Sequence, residues 1–150
     1  MPTHDTDHLR NVVLLSHSGA GKTILSEAML FSTKVTTRQG RVEDGTAVSD
    51  FEPEEHKRQN SVQTSILPVP WKDVKINLID TPGYADYRGE VVSGLRAADA
   101  AFVLVSAPAG VEVGTIQFWK MAEGLPRLIV INKLDRENSD FDRVMEELVE

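Results

Sequence analysis

Two rhythms of apolar residues run through the chain. Short unbroken runs, NVVLL (11–15), AAFVLVSA (100–107) and RLIVIN (127–132), have the length and β-branched content of strands buried on both faces. Between them, apolar positions recur every three or four residues. TILSEAML (23–30) is such a helix, with Ile24, Leu25, Ala28 and Met29 on one stripe. Further helices are predicted near 88–97 and 112–123. SVQTSILPVPW (61–71) has strand character, but Pro68 and Pro70 restrict it to a sheet edge or to its end. WKDVK then reads as a turn into VKINLID (74–80), which makes an antiparallel pair of the two strands. The clearest helix comes last: Phe141, Val144, Met145, Leu148 and Val149 fall at i, i+3, i+4, i+7 and i+8, with Ser139 expected as its cap. It reaches Glu150 without a glycine or other end signal, so a fragment of a longer chain is expected. Residues 33–61 keep no period, and a stretch of that length is usually functional or disordered.

Strands alternating with helices imply an α/β fold. The expectation is a mainly parallel sheet with one antiparallel edge strand, helices on both faces, and ligands at the carboxyl ends of the strands. A chain of 150 residues fits one domain with a substantial core. Its formal net charge of −7 argues against a surface that attracts nucleic acid or anionic membrane, and so against direct sequence-specific DNA binding. The absence of cysteine removes disulfides and thiolate metal sites. The longest apolar run, Ala100 to Val105, is too short to span a bilayer, and the polar N-terminus is unlike a signal peptide, so a cytoplasmic protein is expected.

Three strand ends carry candidate chemistry. The first is SHSGAGKT: Ser16, His17, Ser18, Gly19, Ala20, Gly21, Lys22 and Thr23. It meets the phosphate-loop pattern G-x-x-x-x-G-K-[ST], except that Ser16 replaces the leading glycine. Gly19 and Gly21 let backbone N–H groups cradle phosphate oxygens, Lys22 adds a positive charge, and Thr23 offers a hydroxyl to Mg²⁺. The second is Asp80-Thr81-Pro82-Gly83. Alone it would be an ordinary turn; after an apolar strand and downstream of a phosphate loop, Asp80 can hold Mg²⁺ through water and the Gly83 N–H can reach a γ-phosphate. The third is Asn132-Lys133-Leu134-Asp135. A carboxylate at Asp135 accepts from guanine's N1–H and exocyclic amine, and adenine offers neither donor there, so an ATP-using enzyme on the same loop is disfavoured. Asn132 can bond the base or tie its loop to the phosphate loop, and the Lys133 stem can lie across the nucleotide. In this order the motifs describe a guanine-nucleotide-binding domain using GTP or GDP and Mg²⁺. His4, His8 and His56 read as solvated, His17 as structural, and Trp71 and Trp119 as packing residues.

With these segments in hand, the chain resembles the GTPase domain of elongation factor G and its bacterial elongation-factor-G-like paralogues. SHSGAGKT, EEHKRQNS, DTPGYADYRGEV, PAGVEVGT and LPRLIVINKLDR carry the likeness, from residue 16 to residue 136. It implies a ribosome-associated GTPase with further domains, and a sheet truncated before its last strand. Lys22, Thr23, Asp80, Gly83, Asn132, Lys133 and Asp135 match the family's nucleotide-holding residues. Where the family has Arg-Gly-Ile-Thr, with its threonine on Mg²⁺, this chain has Arg58-Gln59-Asn60-Ser61, so Ser61 is the candidate ligand. Two departures touch hydrolysis. Tyr84 replaces the family's water-positioning histidine, and Gly19 replaces an aspartate that helps place a monovalent cation. A tyrosine hydroxyl can orient water but is a poor base at neutral pH. Lys22, Gly83 and Tyr84 are thus the catalytic candidates, and slow hydrolysis needing a ribosome-type partner is expected. A regulatory module that binds GTP or GDP with little hydrolysis is the alternative.

Overall fold

Val12 to Leu15 are almost wholly removed from solvent, because strand β1 (Leu9–Leu15) lies in the middle of a sheet covered on both faces. The computed structural model describes residues 4–49, 55 and 61–149. Among them, β2 (Ser65–Trp71), β3 (Val74–Asp80), β4 (Ala100–Ser106) and β5 (Arg127–Asn132) join β1 in the order β2-β3-β1-β4-β5. β1 runs parallel to β3 and β4, β4 runs parallel to β5, and β2 is antiparallel to β3. The expected mainly parallel sheet with one antiparallel edge strand is what forms. The prolines explain the edge: Pro68 and Pro70 alternate with buried Ser65, Leu67 and Val69, and as edge residues they need no donor on the open side.

Four α-helices are described: α1 (Lys22–Ser32), α2 (Arg88–Ala97), α3 (Val113–Met121) and α4 (Phe141–Val149). On one face Leu25, Met29 and Leu30 of α1 pack on Val12, Leu14, Leu67 and Leu78. On the other, Val91 and Leu95 of α2 and Phe118 and Trp119 of α3 pack on Val13, Leu15, Ile79 and Val103. Each fully buried leucine in these layers contributes about 1.5–3 kcal/mol relative to exposure. After β1 the chain crosses to β2 and β3 on one side, and after β3 it crosses to β4 on the other side of β1, so these two connections run in opposite directions. A crevice opens where the carboxyl ends diverge. None of the described helices is long and apolar enough to cross a membrane.

The tertiary structure departs from the sequence pattern in several places. On α1 the buried positions are Lys22, Ser26, Glu27 and Leu30, while Ile24 of the expected stripe is exposed. Polar groups displace part of that stripe because each has a partner: Ser26 Oγ donates to Asp80 Oδ2, and the Glu27 carboxylate accepts the Gly40 and Val48 N–H groups. On α4 the periodicity is real, yet only Val144 is buried; Phe141, Met145 and Val149 are exposed. Its cap is Asp140 and not Ser139: Asp140 Oδ1 accepts the Arg143 N–H at 3.0 Å, whereas Ser139 Oγ donates to the Leu134 carbonyl. Trp71 is largely exposed rather than packed, while Trp119 packs as expected and lies 3.8 Å under the Arg127 guanidinium. His56 and Arg58–Asn60 fall outside the described residues.

Candidate nucleotide site

Leu15 ends β1, and the chain passes through Ser16–Gly21 into α1, so the first turn of α1 points its free N–H groups into the crevice. Gly19 and Gly21 take left-handed conformations, with φ of 79° and 97°. At Gly21 a side chain is excluded twice over, since an added Cβ would lie 2.5 Å from Asn132 Nδ2. Lys22 is buried, and its Nζ donates to Ser16 Oγ at 2.9 Å. Burial pushes the Lys22 ammonium down to about 8, with Asp80 pulling the other way. His17 Nδ1 faces the Glu112 carboxylate at 3.0 Å, linking the loop to the start of α3. Burial holds His17 below its ordinary value; Glu112 opposes this, and Lys22 and Lys133 add to it.

Asp80 ends β3 in the interior, where a bare carboxylate is costly. Its Oδ2 accepts from Thr23 Oγ1 at 3.2 Å and from Ser26 Oγ at 3.4 Å. Ser61 Oγ lies 3.3 Å from Thr23 Oγ1, held there by the strand entry that follows. Glu55 Oε1 accepts the Val62 and Gln63 N–H groups, and Glu90 Oε2 accepts that of Thr64. Thr23, Ser61 and Asp80 therefore present a cluster of hard oxygen donors, the set that suits Mg²⁺. Gly83 follows closely, and an added Cβ would sit 2.8 Å from Lys22 Nζ and 2.9 Å from Ser18 Cα. Tyr84, 44% exposed, stands at the rim of the same cavity.

That cavity, about 230 Å³, is lined by Ser18, Gly19, Gly21, Lys22, Thr23, Ser61, Gly83, Tyr84 and Lys133. From the third motif, Asn132 Nδ2 donates to the Ala20 carbonyl at 2.9 Å, so Asn132 ties the two loops together. Lys133, at φ 63°, carries its Nζ to the Gly19 carbonyl. Asp135 is not brought in: its side chain is 83% exposed, 3.9 Å from Arg136 Nε, on the turn after β5. Thr81 of the second motif also lines the cavity, and three further residues of the lining, Ile24, Val42 and Glu43, were not anticipated. Val42 and Glu43 lie in a stretch without periodicity, where the pair of glycines at 40 and 45 was the available signal of an ordered turn.

A mainly parallel sheet, a glycine-bent loop feeding a helix, a buried lysine and a carboxylate-hydroxyl cluster at adjacent strand ends define a phosphate-loop nucleotide-binding domain. The chain matches the elongation factor Tu GTP-binding domain over residues 7–150, and it belongs to that family. It is 44% identical over 135 residues to an elongation factor G-like protein of Mycobacterium tuberculosis, covering 89% of this chain and 19% of that one. It is 40% identical over 146 residues to the mitochondrial ribosome-releasing factor 2 of Debaryomyces hansenii, covering 96% and 17%. A solved structure from Thermus thermophilus superposes with a TM-score of 0.89 at 45% identity, over 93% of this chain and 21% of that one. The resemblance to elongation-factor-G-like translational GTPases is thereby borne out. The chain spans less than a fifth of the length of these curated relatives.

Proposed function

We propose that this domain is a guanine-nucleotide switch of the elongation-factor-G-like type, hydrolysing GTP to GDP and phosphate slowly until a ribosome-type partner stimulates it. One observation carries the reading: Lys22, Thr23, Ser61 and Gly83 converge on a single cavity although they come from three separate stretches of chain. Lys22 and the loop N–H groups are suited to the β- and γ-phosphates, and the Gly83 N–H to sensing the γ-phosphate. Thr23, Ser61 and, through water, Asp80 are the residues that would hold Mg²⁺, which neutralises charge on the phosphates when bound. In hydrolysis, water attacks the γ-phosphorus, a new P–O bond forms, and the bond to the β–γ bridging oxygen breaks. Tyr84, at the cavity rim, can orient that water but takes its proton poorly at neutral pH. Asp135, on the turn beside Lys133, would read guanine once a base lies on it. The compartment in this reading is the cytoplasm.

The relatives named for ribosome release and elongation support a ribosomal partner. Single-turnover hydrolysis with and without ribosomes tests the proposal, and fast turnover by this chain alone overturns it. Tyr84 together with Gly19 favours a second reading, a module that binds GTP or GDP without consuming it. The fate of bound GTP over hours separates the two. Displacement of GTP by ATP at equal concentration would overturn the guanine assignment.

A further inference from the structure

Glu27 is fully buried on α1, the helix that begins with Lys22 and Thr23, yet it does not reach the cavity. A leucine would fill such a position without the several kcal/mol that desolvating a carboxylate costs. Both oxygens are used on one loop. Oε2 accepts the Gly40 N–H at 3.0 Å and Oε1 accepts the Val48 N–H at 2.6 Å. These bonds clamp the two ends of a turn that is closed internally as well. Thr46 N–H donates to the Arg41 carbonyl and Gly45 N–H to the Val42 carbonyl, both at 3.0 Å. The exit is tied down too, since Ser65 Oγ donates to the Ser49 carbonyl at 2.8 Å. The part of this turn that meets the cavity is Val42 and Glu43.

We propose that Glu27 is the positioning residue for the nucleotide site: by clamping residues 40 and 48 to α1 it fixes Val42 and Glu43 as one wall of the cavity. The same helix holds the phosphate-binding lysine and the metal-binding threonine, so the clamp ties this wall to the phosphate end in one rigid piece. Gly40 is part of the device. An added Cβ there would lie 2.5 Å from Glu27 Oε2 and 2.5 Å from the Thr46 carbonyl, so only glycine lets the loop approach the carboxylate. The inference rests on the nucleotide reading of the cavity, and its test keeps the two apart.

Glu27→Gln keeps the side chain's size but turns one acceptor into an NH₂ donor facing an N–H. Release of a fluorescent GDP analogue should be about tenfold faster, the equivalent of one charge-assisted hydrogen bond of roughly 1.4 kcal/mol. Amide exchange should rise in peptides covering 40–48 and stay unchanged in β1 and β3. Gly40→Ala, which leaves Glu27 intact, should reproduce both effects. Unchanged release in a folded Glu27→Gln protein, wild-type behaviour of Gly40→Ala, or exchange rising evenly across the sheet would each overturn the proposal. If the unaltered protein binds no GDP, the nucleotide reading fails instead, and the exchange at 40–48 still decides whether Glu27 clamps the loop.

Discussion

Raising the pH from 7 to 9 should loosen nucleotide binding by discharging Lys22. Burial on α1 pushes this ammonium from 10.5 down to about 8, the Asp80 carboxylate offsetting part of the cost. With that value, roughly nine-tenths of the free protein carries the charge at pH 7 and roughly one-tenth at pH 9. A phosphate placed beside Nζ restores the charged form, so binding at pH 9 must take up nearly a whole proton. The loss of affinity is then about tenfold, or ~1.4 kcal/mol. His17 does not blur this window, because burial holds it below its ordinary value and it is already neutral there. Calorimetric titration with GDP in two buffers of different ionisation enthalpy counts the proton directly, and Lys22→Met should abolish both the uptake and the pH dependence. Fold stability should move the opposite way to what a paired lysine would show. A folded value depressed below the unfolded one is a cost to stability that is fully present below pH 8, where both states hold the proton, and is relieved as pH rises towards 10.5. From pH 8 towards 10.5 the unfolded chain holds a proton that the folded chain does not, so the nucleotide-free domain gains stability while its affinity falls. Affinity that stays flat from pH 7 to 9, with no proton uptake, would refute the claim that this lysine is buried next to the phosphates.

Other outcomes follow from single contacts. Tyr84→His should accelerate single-turnover GTP hydrolysis, because imidazole can both orient and deprotonate water near neutral pH; an unchanged rate in quench assays would favour the binding-module reading. Gly21→Ala places a Cβ 2.5 Å from Asn132 Nδ2 at a φ of 97°, so thermal denaturation should show a loss of ~1–3 kcal/mol and nucleotide binding should weaken with it. Asp140→Ala should cost about 1 kcal/mol by removing the α4 cap, while Ser139→Ala should leave the denaturation midpoint nearly unchanged.

Much of this domain was determined by the sequence alone, because the signals involved are local. Apolar runs with β-branched residues placed β1, β4 and β5; Pro68 and Pro70 put β2 at an edge; the three motifs fall, as expected, at the ends of β1, β3 and β5. Backbone conformation at Gly19 and Gly21 was legible for the same reason, since a tight loop before a helix needs glycine within that loop. Tertiary structure decided whatever depends on partners distant in the chain. Asn132 could have met the base or the phosphate loop, and only the packing of β5 two strands away from β1 brings its amide to Ala20. Asp140 rather than Ser139 caps α4 because a difference of one residue in helix start lies below the resolution of periodicity. Most of all, the burial of Glu27 contradicts its residue type. Nothing near it in sequence announces two N–H groups arriving from residues 40 and 48, and a buried carboxylate becomes stable only once a folded loop delivers them.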